Sequence, residues 1–235
     1  MFRIIFIFAI WIGWFGHHPI RGKSTAPSII SMVDCNKRVD NMNTTRRKIY
    51  GIGTNNYPSP IQTNCKKMPS YNKWRSLLQR CYDKKFLLKN PSYADCYVCE
   101  EWLTFTNFNK WFNENYTNNY QLDKDLILKG NKCYCPEYCC FVPQEINELV
   151  IKCDARRGKY PLGVEKKGNK FRARIKKNNT HVTIGYFDTP EQAFTAYKEA
   201  KEKHIQEMAT QYFNDGKITE KVYNALMNYK VEITD

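Results

Sequence analysis

Acidic side chains are scarce: 23 Asp and Glu stand against 37 Lys and Arg, a net charge of +14. A surplus of that size does not help a chain fold, and it draws polyanions to it. It points to nucleic acid, an acidic membrane surface or an acidic protein as partner. Long apolar runs are missing too. Phe2 to Phe15 is nearly all apolar, but it contains Arg3 and is shorter than the ~20 residues a membrane span needs. No Ala-x-Ala cleavage site comes after it, only Gly16, His17, His18 and Pro19, which argues against a working secretory signal. Residues 1–31 are therefore expected to be an apolar leader that is non-native or lies upstream of a start at Met32 or Met42. Histidine is rare: His17, His18, His181 and His204 are the full set, so residues 70–150 have no imidazole.

Cysteine is absent after Cys153 but frequent before it, at Cys35, Cys65, Cys81, Cys96, Cys99, Cys133, Cys135, Cys139, Cys140 and Cys153. An even count would suit a disulfide framework in a small secreted chain. Several of these residues fall at core or ladder positions, and none lies in the basic C-terminal stretch. Free buried thiols are the expectation, with Cys acting as a small hydrophobe. A structural zinc site from Cys133, Cys135, Cys139 and Cys140, with Cys96 and Cys99, is the lesser alternative, because its Cys-x-Cys and Cys-Cys spacings are atypical.

What is present divides the 235 residues into segments. Aromatics at 14% are too many for a disordered basic tail, so packed cores are expected. Residues 32–69 are rich in Asn, Thr, Ser, Pro and bases and read as an irregular basic arm. Its run Arg46, Arg47, Lys48 is of a kind that is usually solvated and sometimes touches phosphate. From residue 70, Tyr71, Trp74, Leu77, Leu78, Cys81 and Tyr82 recur at helical spacing, and Pro91 breaks the pattern. Tyr97 to Cys99 suggests a strand. Trp102, Phe105, Phe108 and Phe112 make a second helical stripe. Beyond Gln121 the order is strand, loop, strand, helix, the helix running from Gln144 to Ile151 with Ile146, Leu149 and Val150 inward. A basic linker with Arg156, Arg157 and Lys159 comes next.

In Lys170 to Lys176, Phe171, Ala173 and Ile175 alternate with Lys170, Arg172, Arg174 and Lys176. Successive side chains on a strand point to opposite faces, so one face is apolar and the other carries four cations. Leu162, Val164 and Lys166 suggest a strand before it. Val182, Ile184 and Tyr186 suggest one after it, read as a single alternating set. The turns are Lys167-Gly168-Asn169 and Lys177-Asn178-Asn179-Thr180. Thr189, Pro190 and Gln192 spell a capped helix start, and Ala193, Ala196, Tyr197 and Ala200 form a narrow stripe that lets a helix lie close on a sheet. Residues 156–181 hold ten Lys or Arg and one acid, Glu165. A three-stranded antiparallel sheet with one helix on its apolar face leaves the basic face open, and the DNA major groove admits a two-stranded ribbon. A solvated, aggregation-resistant face is the competing reading.

Pro161-Leu-Gly-Val-Glu, Lys170-Phe-Arg-Ala-Arg-Ile, Ile184-Gly-Tyr-Phe-Asp-Thr-Pro-Glu-Gln-Ala and Ala196-Tyr resemble the Apetala-2/ethylene-response-factor DNA-binding domain over about 45 residues. The resemblance implies a sheet in the major groove with Lys167, Lys170, Arg172, Arg174, Lys176 and Thr183 as the contacts. Glu165 departs from it, standing where plant members carry Arg, so the preferred DNA sequence does not transfer.

Leu122-Asp-Lys-Asp, Gly130-Asn-Lys, Tyr134-Cys-Pro-Glu, Cys140-Phe-Val-Pro and Ile146-Asn resemble phage homing nucleases of the His-Asn-His class. By position the resemblance implies Asp123 as the carboxylate for a divalent metal, magnesium or manganese if the nuclease is active. It puts Lys124 where the base His belongs, Tyr138 where a metal-binding Asn is expected, and Asn147 on the helix. Lys is ordinarily protonated at neutral pH and a poor base, so the catalytic motif is incomplete. A scaffold in which Asp123 and Asp125 only cap turns is the other reading.

The expectation is thus an α+β chain. A nuclease-like ββα module with flanking helices spans 70–150, a sheet-and-helix DNA reader spans 158–208, and a helical tail spans 209–235 with Val222, Leu226 and Tyr229 on one face. The expected partner is double-stranded DNA rather than a small molecule or a membrane, and the expected setting is intracellular, in host cytoplasm or nucleoid; a working signal in the apolar run would instead make the chain membrane-targeted or secreted. The activity is either sequence-selective binding, as in a regulator or mobile-element remnant, or metal-dependent DNA cleavage.

Overall fold

A computed structural model describes residues 47–63, 66–150, 159–177 and 180–233. The apolar leader, the arm up to residue 46, the linker bases Arg156 and Arg157, the turn residues Asn178 and Asn179, and Cys35, Cys65 and Cys153 lie outside the described residues. No helix among the described residues is long and apolar enough to cross a membrane.

The chain is α+β. A short antiparallel pair, β1 (Gln62–Thr63) and β2 (Lys66–Lys67), leads into α1 (Pro69–Tyr82) and α2 (Lys84–Lys89). A 3-10 turn at Pro91–Tyr93 precedes β3 (Tyr97–Val98), and a second at Glu100–Leu103 precedes α3 (Phe105–Asn115). Then come β4 (Gln121–Asp123), β5 (Cys133–Tyr134), β6 (Cys140–Val142) and α4 (Gln144–Val150). The last part holds β7 (Val164–Lys167), β8 (Lys170–Lys177), β9 (Thr180–Phe187), α5 (Pro190–Asn214) and α6 (Glu220–Met227). β3 pairs parallel with β5, β4 antiparallel with β6, and β7-β8-β9 form an antiparallel sheet.

The helical spacing in the sequence becomes the first core. Tyr71, Trp74, Leu77, Leu78 and Cys81 of α1 are buried against Trp102, Phe105, Phe108 and Phe112. Trp74 Nε1 donates to the Trp102 carbonyl at 2.6 Å, so a buried indole is satisfied across 28 residues of chain. Trp102 meets Phe108 edge-on at 5.0 Å, a geometry that adds about 0.5–1.5 kcal/mol to the area buried. The arm is docked here as well: Ile49, Tyr50, Ile52, Tyr57, Ile61 and Met68 pack on this cluster.

The second core draws on both sides of residues 151–158. Leu126, Val142 and Ile146 join Ala173, Ile175, Ala193, Phe194, Tyr197, Ile205, Ala209, Val222 and Leu226. The long helix explains this. α5 has 25 residues, about 37 Å at 1.5 Å each. Ala193, Phe194 and Tyr197 near its start serve the sheet, while Ile205 and Ala209 farther along join the cluster that holds α6. The helix passes residue 208 without a break, since Met208 and Tyr212 continue the packed stripe. Its start has the expected capping box: Gln192 N donates to Thr189 Oγ1 at 3.2 Å, and Thr189 N donates to Gln192 Oε1 at 3.3 Å.

The close approach of α5 to the sheet depends on Gly163. Its φ is +76°, and a Cβ there would lie 2.1 Å from the Tyr197 ring. Its carbonyl also accepts from Arg174 N at 2.9 Å, fixing the entry to β7. Gly163→Ala should therefore lower stability by about 2 kcal/mol or more, seen as a melting temperature lower by ~4 °C or more. An unchanged melting temperature would show that Tyr197 yields without cost.

Candidate nucleic-acid interface

Register decides which residues of the sheet share a face. Ala173 and Ile175 of β8 are 0% and 3% exposed, and α5 packs against them. Lys170, Arg172, Arg174 and Lys176 are therefore turned away from the helix. Across the ladder, Lys167 pairs with Lys170, Glu165 with Arg172, and Thr183 with Arg174. All six residues named from the sequence as DNA contacts thus stand on one face, with Tyr186 opposite Arg172 and His181 opposite Lys176. Lys177, on the other parity, reaches Glu207 of α5 at 3.3 Å.

β9 corrects one expectation. Val182, Ile184 and Tyr186 are not one alternating set. The pairing slips by one residue between Ala173↔Gly185 and Arg174↔Thr183, leaving Ile184 as the extra residue of a bulge. A bulge reverses the parity of the residues beyond it. Val182 lies opposite Ile175, Tyr186 lies opposite Arg172, and Phe187 rather than Tyr186 packs with the second core. Tyr186, 58% exposed, thereby joins the cationic face.

The guanidinium groups stand together and are half-buried, with Arg172 Nε enclosed. The side chains of Arg172 and Arg174 are 22% and 40% exposed, and both lean on Glu165. Arg172 Nη2 forms an ion pair with Glu165 Oε1, and Arg174 Nη2 lies 3.5 Å from Glu165 Oε2. Partial burial pushes the Glu165 carboxyl up, but the hydrogen bond from Arg172 and the charges of Arg174 and Arg172 outweigh it and hold it below the ordinary glutamate value. The same hydrogen bond raises Arg172 further, aided by Tyr186. Lys170 pairs with Asp188 at 2.5 Å, both side chains exposed. Lys167 and Lys176 form no ion pair with any described residue.

The segment from β4 to α4 is wired differently. β4 and β6 pair Asp123 with Cys140, and α4 packs against β4. Asp123 Oδ1 accepts from Asp125 N at 2.8 Å and Leu126 N at 2.7 Å, closing the turn after β4. Lys124 Nζ donates to the Asn131 carbonyl at 2.8 Å and to Asp125 Oδ2 at 3.0 Å, with 11% of its side chain exposed. Asn131, named from the sequence only within the Gly130-Asn-Lys motif, is the clasp of this segment. Its Nδ2 donates to the carbonyls of Lys124 and Cys133 at 2.6 and 2.7 Å, and its Oδ1 accepts from Cys133 N at 3.1 Å. The signal available in sequence was its central place between two short strands. Asn147 sits half-buried on α4, and Tyr138 is 37% exposed.

These donors do not fit a divalent cation: one Asp123 oxygen is taken by two amides, and Asp125 faces the Lys124 ammonium. Among the described residues no group of three or more His, Cys, Asp or Glu is arranged to hold a metal ion. The seven described cysteines are free thiols. Burial pushes Cys81, Cys135 and Cys140 up to about 12 and raises Cys139 as well. Such thiols are inert rather than thiolate-like at neutral pH.

Burial, then the Asp125 charge, raise Asp123 above its ordinary value of 3.8, and the amide hydrogen bonds only partly offset them. Its contribution to stability is therefore fully present below 3.8 and is lost as pH rises through the raised folded value. Asp123→Asn keeps an acceptor for the two amides and removes the charge. It should raise the melting temperature at pH 7 by ~2 °C or more, with the gain vanishing toward about pH 3.5 in a melting series; a loss at pH 7 would contradict this account. Compared with protein-family models, with curated proteins and with solved structures, the chain finds no match in any of the three.

Proposed function

We propose that the chain is a sequence-selective double-stranded DNA-binding protein of phage or mobile-element type, with the sheet β7-β8-β9 laid in the major groove. The observation that carries this reading is the shared open face of Lys167, Lys170, Arg172, Arg174, Lys176 and Thr183, opposite the face that α5 covers. The segments that resemble the Apetala-2/ethylene-response-factor domain supply Lys170, Arg172 and Arg174 of this set. Arg172 and Arg174 are the base readers, because a planar fork matches the guanine edge. Lys167, Lys170 and Lys176 meet phosphates, giving affinity and orientation without sequence information. The partner is duplex DNA, which would place the protein with the host cytoplasm or nucleoid.

The middle segment serves as scaffold rather than as a nuclease. The Lys124 ammonium is spent on a carbonyl and a carboxylate, so it offers no lone pair to activate water. No step through a metal is assigned to it.

A duplex selected from a random pool provides the probe for fluorescence anisotropy. Replacing Arg172 and Arg174 together by Ala removes two contacts of about 1–3 kcal/mol each and should weaken binding at least ~30-fold. Unchanged affinity would remove the assigned face. Glu165→Gln frees both guanidiniums from a neutralising charge. It should tighten binding about tenfold and steepen the salt dependence, whereas weaker binding would mean the carboxylate itself contacts DNA. Supercoiled plasmid with magnesium or manganese should remain intact; nicking that Asp123→Ala abolishes would replace this reading with the nuclease.

A further inference from the structure

A second set of cations converges far from β8 in sequence. Arg47 and Lys48 precede a tight turn, Arg75 lies on α1, and Lys84 opens α2. Together with Tyr50, Tyr71 and Tyr82 they line a groove of about 760 Å³. All four cations are exposed, and none is ion-paired to a carboxylate among the described residues. The single acid of the groove, Asp83, is occupied: its Oδ1 accepts from Lys85 N at 2.9 Å as the cap of α2, and its Oδ2 accepts from Gln79 at 3.4 Å.

The convergence is built. Ile49 and Gly53 bridge antiparallel, with Ile49 N donating to the Gly53 carbonyl at 2.8 Å. A Cβ on Gly53 would lie 2.4 Å from Leu78 Cδ1 and 3.0 Å from Trp74 Cζ2, so the turn rests directly on α1. Tyr50 holds φ of +50°, a left-handed conformation that costs a bulky residue energy. That conformation sets its ring beneath Arg75, whose guanidinium carbon lies 5.9 Å from the ring centroid. A cation beside an aromatic face is attracted by the ring, which holds the Arg75 guanidinium at the groove. Four cations gathered around a single carboxylate still repel one another, and an anion bound among them relieves that repulsion. A wide groove of exposed cations suits a chain of phosphates better than a small enclosed ligand.

We propose that this groove on the first core is a second DNA contact, gripping the phosphate backbone of the duplex while the sheet reads bases. It rests on the reading of the sheet only in sharing the same ligand. Arg75 and Lys84 are the gripping residues, and Arg47 and Lys48 extend the track.

The test uses the full chain and anisotropy titrations of a 30-base-pair duplex across a salt series. Each backbone contact contributes about 0.9 to the slope of log affinity against log salt. Arg75→Ala with Lys84→Ala should flatten the slope by about 1.8 and weaken binding roughly 30-fold at 0.15 M salt, equally for selected and unrelated sequences. Arg75→Lys with Lys84→Arg should restore the slope, which a merely structural role of the two side chains would not require. A slope unchanged within about 0.5 overturns the proposal. So does a loss confined to the selected sequence. If the groove variants flatten the slope while Arg172→Ala with Arg174→Ala does nothing, the sheet reading fails and this one stands; the reverse pattern removes the groove alone.

Discussion

The parity of β8 is the constraint on which the rest depends. Ala173 and Ile175 must face α5, since they are among the few side chains small or apolar enough to lie beneath a helix that passes close over Gly163. Once they are inward, Lys170, Arg172, Arg174 and Lys176 have no choice but to face out. A slip of one residue would turn all four cations under the helix, at a cost of several kcal/mol for each unpaired buried ion. The apolar core and the cationic face are therefore one decision.

Glu165 is the counterweight. Two arginines two residues apart on one face repel, and a carboxylate placed across the ladder holds both. The more open Arg174 pair is of the kind worth about 0–1 kcal/mol, while the Arg172 pair is half-buried. A good guanidinium contact to guanine discriminates by about 1–3 kcal/mol. In the proposed DNA contact a base edge would take the place of Glu165, which holds both guanidinium groups in the free protein. Tyr186, brought to the same face by the bulge at Ile184, adds a second partner for Arg172.

The same physics governs how much was legible in the sequence. Strict alternation in β8 and the three-and-four spacing of α1 are local patterns, and both elements stand where those patterns put them. β9 misled because a bulge needs no signature residue: Ile184 looks like any inward apolar position until the ladder slips. The docking of the arm was invisible for another reason. Ile49, Ile52 and Gly53 form no periodic pattern, and the meaning of Gly53 lies in the proximity of Trp74 and Leu78. The joining of Leu126, Val142 and Ile146 to the second core is likewise a tertiary fact. Between β4 and α4 the residue types were legible, but their commitments were not. Asp123, Lys124 and Asn131 could be named as polar residues near strand ends, while their hydrogen bonds depend on a loop closing over them.

The cations of this chain fall into two kinds, and the distinction is physical. Lys124 is largely buried and holds two acceptors; removing its charge would leave Asp125 and a carbonyl without their donor. Such a cation belongs to the fold. Lys167, Lys176, Arg75 and Lys84 are exposed and have no carboxylate among the described residues, so the fold would lose little without them. Charge that contributes nothing to folding and repels its neighbours persists at some cost unless an outside anion compensates it. The two clusters of this second kind sit on different cores, one anchored by the alternation of β8 and the other by a strained turn packed on α1. Both clusters call for an anionic partner, which in the proposed reading is one DNA duplex.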